Sequence, residues 1–413
     1  MTRTEKLTSQ QIGILNELVR NCDTSTIKVL SGVRGSGKLR LLRRLKDTLQ
    51  INGAKPEQVL VVGIEYIPCD TDDDSLLLRD MIQEKIQSVD KKYYVLLNQI
   101  SFIKGWERVL YEIRQRYNVS FFLTASCADW KSEVFEQLFA NEYVEYKLYP
   151  LSFAEYLQIN GSTGMQPLVN VFSQYLRYGS LSLINVLSVD DHTARAIAAG
   201  IYNTILVKDL MRHNMIKDVP MFERLSQYMV RNIGVLGSPK SISDYFASLG
   251  YKIASETVDN YLTALESTFV FYKIQRYDIN AQRVLKNRSK HYIVDTGLRH
   301  ALTCRYDDIG YELENTVFFE LLRRGYDVQI GKIGKGEIDF VARRDGRTEY
   351  YQVCRTISQH ETFYAREFAP LLKVKDADAK KVILSMDEQQ PPEQKGIRFQ
   401  NLLEFLCEDQ ANA

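Results

Sequence analysis

Gly32-Val-Arg-Gly-Ser-Gly37-Lys38, set between the apolar run Ile27–Leu30 and the helical stretch Lys38–Leu49, decides the fold of the first third of this chain. Its glycines let backbone N–H groups turn inward and cradle phosphates, and the helix N-terminus that follows adds partial positive charge. Lys38 is placed to reach a β- or γ-phosphate. Strand, glycine loop and helix in this order form the Walker A context, with Gly32, Val33, Arg34, Gly35, Ser36, Gly37, Lys38 and Leu39 as nucleotide-binding candidates. The last of these breaks the pattern. A Ser or Thr after the lysine normally ligates Mg²⁺, and Leu39 has no ligand atom.

Outward from the loop, short apolar runs recur at Val59–Ile64, Tyr93–Leu97, Phe121–Leu123 and Tyr143–Leu148, each separated by a longer helical pattern. This is the pattern of βα units around a buried parallel sheet. The chain has 413 residues, 45% apolar and 25% charged, with a net charge of +1. Those values exclude a disordered chain, a coiled-coil rod and a uniformly basic nucleic-acid coat. They predict two or three domains. Cys22, Cys69, Cys127, Cys304, Cys354 and Cys407 are scattered, so neither a zinc site nor a disulfide framework is expected, and no metal site is assigned. Met1–Gln11 contains no apolar signal core, and no run is long enough to span a membrane. A cytoplasmic location is expected.

A hydrolytic site needs a second strand ending in Asp-Glu, the Asp to help hold Mg²⁺ and the Glu to orient water. Tyr93–Leu97 supplies the strand, but Asn98-Gln99 follows it. An amide keeps the shape of a carboxylate, carries no charge and cannot take a proton. Asn98 and Gln99 are therefore degenerate catalytic positions, and no confident catalytic residue remains.

Further residues carry a family resemblance. Trp106 lies beyond the Asn-Gln pair, and Phe121-Phe-Leu-Thr-Ala-Ser126 resembles a sensor strand. Pro150-Leu-Ser-Phe-Ala-Glu-Tyr156 follows. Lys208-Asp209, Ser255–Glu266, Tyr292-Ile-Val-Asp-Thr-Gly-Leu298, Glu314-Asn315 and Glu337-Ile-Asp-Phe340 come next in order. Together they resemble a prokaryotic family of AAA-type ATPases with a C-terminal domain of unknown function, over nearly the whole chain. The family's Gly-Arg pair, a candidate finger for the γ-phosphate, falls at Ala140-Asn141. The resemblance implies an α/β fold. Its parts are a P-loop sheet over 1–160, a helical lid over 161–230, a winged helix over 231–290, a restriction-endonuclease-like domain over 291–407 and a tail over 408–413.

The helical part shows apolar spacing through Ile184, Val186 and Leu187, then Ile197, Ile201, Ile205 and Leu206. In the winged-helix part, Ser241 or Ser243 is expected to cap the first helix, Gly250 to end it and Ser255 to cap the second. A hairpin wing, Phe269–Arg276, follows. Glu256, Asp259 and Glu266 make the outer face of the second helix acidic, which phosphates would repel. Lys273, Arg276, Arg283, Lys286, Arg288 and Lys290 leave a basic patch on the wing side.

Nuclease cores of the implied type use a helix acid, a strand acid and Glu-x-Lys on the next strand to hold metal and steady the phosphate. Glu314 or Glu320 is the helix acid here, and Glu337 and Asp339 are the strand acids. Gln352 and Cys354 stand in place of the Glu and Lys. These six residues read as a nuclease-like vestige, with a non-standard site using Asp339 and Gln352 as the alternative. Arg366-Glu367 is expected as a structural ion pair.

The sequence thus points to a regulatory or scaffold AAA-type homologue that binds ATP or ADP and is impaired in hydrolysis, the altered ligand positions arguing against Mg²⁺. An active ATPase using substitute residues and a DNA-binding protein with a nuclease-like domain stay open as alternatives. Nucleotide is the expected partner, a protein partner and DNA are further candidates, and no membrane is expected.

Overall fold

The computed structural model describes residues 7–63, 74–160, 166–181, 190–205, 210, 216–303, 309–357, 363–376 and 378–408. Ile184, Val186, Leu187, Leu206, Lys208-Asp209, Cys69, Cys304 and residues 409–413 lie outside them. The chain divides into two compact units, the first built on residues up to 150 and the second on most of the chain beyond.

The first unit opens with helix α1 (Ser9–Arg20) and runs β1 (Ile27–Ser31), α2 (Lys38–Ile51), β2 (Val59–Gly63), α3 (Asp74–Gln83) and β3 (Tyr93–Asn98). It continues through α4 (Trp106–Arg116), β4 (Val119–Ala125), α5 (Glu133–Phe139) and β5 (Tyr143–Lys147). The strands form one sheet in the order β2-β3-β4-β1-β5, and every pairing is parallel. Each strand lies at an apolar run of the sequence. β1 and β4 are buried along their whole length, as a sheet covered on both faces requires. Leu41, Leu42, Leu45 and Leu49 of α2 pack on one face. Trp106 and Trp130 close the other, both ringed by Phe135 at 5.5 and 5.4 Å. The tryptophan helix is thus part of the core.

The second unit begins with α6 (Phe153–Asn160), α7 (Leu168–Tyr178), α8 (Asp191–Thr204), α9 (Val219–Arg231), α10 (Pro239–Ser248) and α11 (Ser255–Ser267). Strands β6 (Phe271–Asp278) and β7 (Arg283–Ile293) form a hairpin, followed by α12 (Thr296–Thr303) and α13 (Ile309–Arg323). Then come β8 (Asp327–Ile333), β9 (Gly336–Arg344), β10 (Arg347–Val353), a π-helical turn at Tyr364–Phe368, α14 (Ala369–Leu372), β11 (Lys380–Ser385), β12 (Ile397–Asn401) and α15 (Leu402–Cys407). Helix α12 packs against α7, α8 and α9. The strands make a mixed seven-stranded sheet in the order β12-β11-β10-β9-β8-β6-β7.

Local signals explain the recurring family blocks as structure. Ser152 and Glu155 form a reciprocal capping box: the Glu155 N–H donates to Ser152 Oγ (3.1 Å), and the Ser152 N–H donates to Glu155 Oε2 (2.9 Å). Asp295 accepts from the Leu298 N–H (3.0 Å) and from the Ser180 hydroxyl (2.9 Å). Asn315 clamps the backbone of Ile293 through both its amide atoms, each at 2.9 Å.

Three expectations shift between residues 231 and 290. Ser238 caps α10, not Ser241 or Ser243: its hydroxyl accepts from the Ser241 N–H, and Pro239 occupies the first turn. Ser255 lies inside α11 as its first residue. The expected wing hairpin is longer than Phe269–Arg276, and β6 pairs with β8, so it belongs to the large sheet. Among the described residues, no helix is long and apolar enough to cross a membrane.

Candidate functional site

The parallel register brings the C-terminal ends of β1, β4 and β3 to one edge of the first sheet. Leu30 pairs with Thr124 and Leu97 with Leu123, so Gly32 and Asn98 leave that edge on either side of β4. Two strand spacings separate them, roughly 10 Å, and such carboxyl edges are where open α/β sheets bind ligands.

The loop is built for a close turn. Gly32 has φ 145°, and a Cβ there would come within 2.2 Å of the Leu148 carbonyl oxygen. Gly37 has φ 102° and directly precedes α2. Lys38 is buried, and its ammonium donates to the carbonyl oxygens of Gly32 (2.6 Å) and Val33 (2.8 Å). It curls over the loop, where a phosphate oxygen would compete for the same protons. Val33 and Ser36 are also buried; Arg34, Gly35, Gly37 and Leu39 are half-buried.

On β4, Thr124 ties Asn98 and Gln99 together. Its hydroxyl donates to Asn98 Oδ1 (2.8 Å) and accepts from the Gln99 N–H (2.9 Å). Gln99 has φ 57° and starts the turn after β3. Ala140 and Asn141 follow α5, with Asn141 at φ 61°, so that turn carries no guanidinium. The donor set is poor for a divalent ion: Leu39 offers no oxygen, and Asn98 and Gln99 carry no charge.

The second unit carries its own polar cluster. Glu337 and Asp339 lie two apart on β9 and share one face. Tyr351 of β10 pairs with Phe340, which sets Gln352 opposite Asp339. Glu314 comes from α13. A residue outside the expected vestige completes the group: the Lys290 ammonium of β7 lies 3.1 Å from both Glu314 and Glu337. Burial alone would pull the Lys290 pKa down; Glu314, Asp339 and Glu337 outweigh it and push it up. The buried Tyr292 hydroxyl donates to Glu314 (3.0 Å). Burial first, then Glu314, raises the Asp339 carboxyl well above the usual range.

Gln352 bridges the rest. Its Oε1 accepts from the Asp339 N–H (2.6 Å), and its Nε2 donates to Glu367 Oε2 (2.6 Å). Asp339 Oδ2 in turn accepts from the Val353 N–H (2.8 Å). Glu367, raised in pKa by burial, accepts its hydrogen bond from Gln352, and the Arg366 charge beside it also favours the ionised form. Glu320 does not join the cluster; it is buried against Arg324 (2.9 Å). Cys354 lies at the cluster's border, its thiol pushed up in pKa by burial. Among the described residues no group of His, Cys, Asp and Glu is arranged to hold a metal ion. The physical reason is local: the Lys290 ammonium sits where a cation between Glu314 and Glu337 would sit.

No motif in the sequence marks Lys290. Reading alternation along β7 in register with β6, which places Lys290 on the same face as Tyr292, could have found it. Lys273 is 3.9 Å from Glu266, and Glu266 also meets His291 at 3.0 Å. The basic surface patch therefore loses Lys290, and the acidic outer face of α11 reduces to Glu256 and Asp259, both exposed.

A parallel sheet with a glycine loop between its interior strand β1 and the helix that follows is the P-loop fold of AAA-type ATPases. Residues 24–157 match the family described as AAA domain, and residues 170–308 match a domain of unknown function, DUF8612. The chain belongs to the family of an uncharacterized protein of Haemophilus influenzae, to which it is 34% identical over 396 residues, 95% of this chain and 97% of that protein. Among solved structures, the chain is similar to the Aeropyrum pernix Orc1 protein in complex with DNA, at 13% identity, 72% coverage of this chain and 93% of that one, TM-score 0.33. It is also similar to AMPPCP-bound DnaA from Aquifex aeolicus, at 13% identity, 61% and 86% coverage, TM-score 0.31.

Proposed function

We propose that this chain binds ATP or ADP at Gly32–Lys38 without Mg²⁺ and turns it over poorly or not at all, so that nucleotide acts as a regulatory ligand. One observation supports the reading: the glycine loop and buried Lys38 are kept while three positions are altered together, Leu39, Asn98 and Gln99. Backbone N–H groups and Lys38 suffice to hold phosphate charge. Water activation needs a carboxylate, and losing a general base alone costs about 10²–10⁴ in rate. Nucleotide would then act by favouring one arrangement of the protein over another.

The cluster in the second unit reads the same way. Glu314, Glu337, Asp339, Gln352 and Cys354 are a nuclease-like vestige whose metal charge is supplied by Lys290, with Glu320 in the fold only.

Calorimetric titration with ATP and ADP, with and without Mg²⁺, tests the nucleotide reading. Binding of equal strength in both conditions is expected, with Lys38→Ala abolishing it. Turnover near ~1 s⁻¹ in the presence of Mg²⁺, at the low end of enzyme rates, would overturn it. The triple variant Leu39→Thr/Asn98→Asp/Gln99→Glu is expected to make binding Mg²⁺-dependent.

A further inference from the structure

Strand β7 does not pair with β6 along its whole length. Gln275 pairs with Ser289, but Arg276 pairs with Leu285. Lys286, Asn287 and Arg288 are thereby left without partners on β6, a three-residue bulge. Bulges of this kind re-aim side chains and stop strand pairing. The bulge and its neighbours border a cavity of about 570 Å³ lined by Arg276, Arg283, Lys286, Arg288 and Lys332. Two of these cations are already balanced: Arg276 lies 3.8 Å from Glu337, and Lys332 lies 3.1 Å from Asp278. Arg283, Lys286 and Arg288 are exposed, and among the described residues none forms an ion pair. In a chain of net charge +1, this is a local excess of three positive charges around one concave surface.

We propose that this bulge is a binding site for the phosphodiester backbone of a nucleic acid. The reading is separate from nucleotide binding at Gly32–Lys38. Charge complementarity identifies the ligand: guanidinium and ammonium groups around a groove match successive phosphates, and Arg283 and Arg288 can each hold one through two parallel N–H bonds. The cavity has no carboxylate among its lining residues to repel phosphate and no aromatic ring on which a base would stack, so charge attraction to the backbone dominates.

A plainer role exists for charge on an edge strand, which is to prevent sheet-to-sheet aggregation. Either sign of charge serves that purpose, so charge reversal separates the two. The test is fluorescence anisotropy of the full chain with labelled duplex DNA and duplex RNA across a salt series. Wild type is expected to bind both with a steep salt dependence. Lys286→Glu/Arg288→Glu is expected to weaken binding roughly tenfold or more and to reduce the salt slope by about two, while staying monodisperse. Lys375→Glu/Lys395→Glu, which changes net charge equally at other exposed sites, is expected to bind like wild type. If the bulge variant loses its fold, Lys286→Gln/Arg288→Gln reads the same slope without reversal. Absence of duplex binding in wild type, equal weakening by the control pair, or an unchanged slope in the bulge variants would overturn the proposal. So would bulge-dependent binding to phosphatidylserine vesicles with none to either duplex.

Discussion

Gln352→Glu changes one atom of the side chain and tests what holds the second unit's cluster. The Gln352 amide does two opposite things: it accepts from the Asp339 N–H and donates to the Glu367 carboxylate, each at 2.6 Å. A glutamate can still accept. It cannot donate unless protonated, and otherwise sets a second carboxylate against Glu367 inside a buried site. Two carboxylates at that distance must share a proton. Glu367 is already raised in pKa by burial, so the pair holds this proton far above the ordinary glutamate range.

The magnitude follows from linkage. An unfolded glutamate titrates near ~4.3, so keeping one proton on the pair at pH 7 costs about 2.7 pH units times ~1.36 kcal/mol, roughly 3.7 kcal/mol. At pH 5 the same proton costs about 1 kcal/mol. The sign is fixed: a folded pKa above the unfolded one gives stability that is intact below pH ~4.3 and lost as pH rises towards the folded value. Urea unfolding of wild type and variant at pH 5, 6 and 7 measures it. The deficit is expected to grow by about 1.4 kcal/mol per pH unit, one proton's worth. Gln352→Glu/Glu367→Gln restores one donor and one acceptor and is expected to recover most of the loss. A deficit that stays flat from pH 5 to pH 7 would mean lost packing and would refute the shared proton.

Three further outcomes follow from single residues. Lys290→Met is expected to cost about 3 kcal/mol at pH 7, the low end for breaking a buried ion pair, because Glu337 is one-third exposed and partly screened; differential scanning calorimetry reads the loss, which should shrink as acid protonates the carboxylates. Burial lowers the Lys28 pKa to about 8 from 10.5, so wild-type stability should rise between those two pH values, and Lys28→Met should remove that rise in pH-dependent unfolding curves. Gly32→Ala drives a Cβ against the Leu148 carbonyl oxygen at positive φ and is expected to cost roughly 1–3 kcal/mol in thermal unfolding and to abolish ATP binding by calorimetry.

The first sheet was legible because fully buried parallel strands leave continuous apolar runs, and the glycine loop marks the strand, β1, at whose carboxyl end a phosphate cradle is expected. Asn98-Gln99 could be placed for the same reason, at the end of an apolar run. The second unit was less legible because its sheet is mixed and its strands are recruited from distant segments. The β6–β7 hairpin looks like a free wing until β8, far along the chain from β6, is known to pair with it. Lys290 then changes meaning, since a short step along β7 separates an exposed cation from one enclosed by carboxylates. The cap of α10 was misplaced because Ser238, Ser241 and Ser243 all suit an N-terminus, and Pro239 decides among them. The sequence pairs Glu367 with Arg366 alone, because sequence neighbours are visible and a cross-element partner such as Gln352 is not.

On the proposed reading amides stand in place of carboxylates in both units, and their hydrogen bonds differ. At Asn98 the partner is a hydroxyl donor, Thr124, from which a carboxylate would accept equally well. The change Asn98→Asp therefore leaves that hydrogen bond intact and adds a charge at a half-buried strand end. At Gln352 the partner is an acceptor, Glu367, and the amide N–H is required. On that reading the amide at Asn98 leaves the local structure able to take a carboxylate back. The amide at Gln352 is built into the fold, with Lys290 already neutralising the neighbouring acids. A carboxylate at position 98 in the proposed nucleotide site should thus have no measurable stability cost at pH 7, whereas the same change at Gln352 should destabilise the protein. Equal destabilisation by Asn98→Asp and Gln352→Glu in urea unfolding would show that donor and acceptor roles do not set the difference.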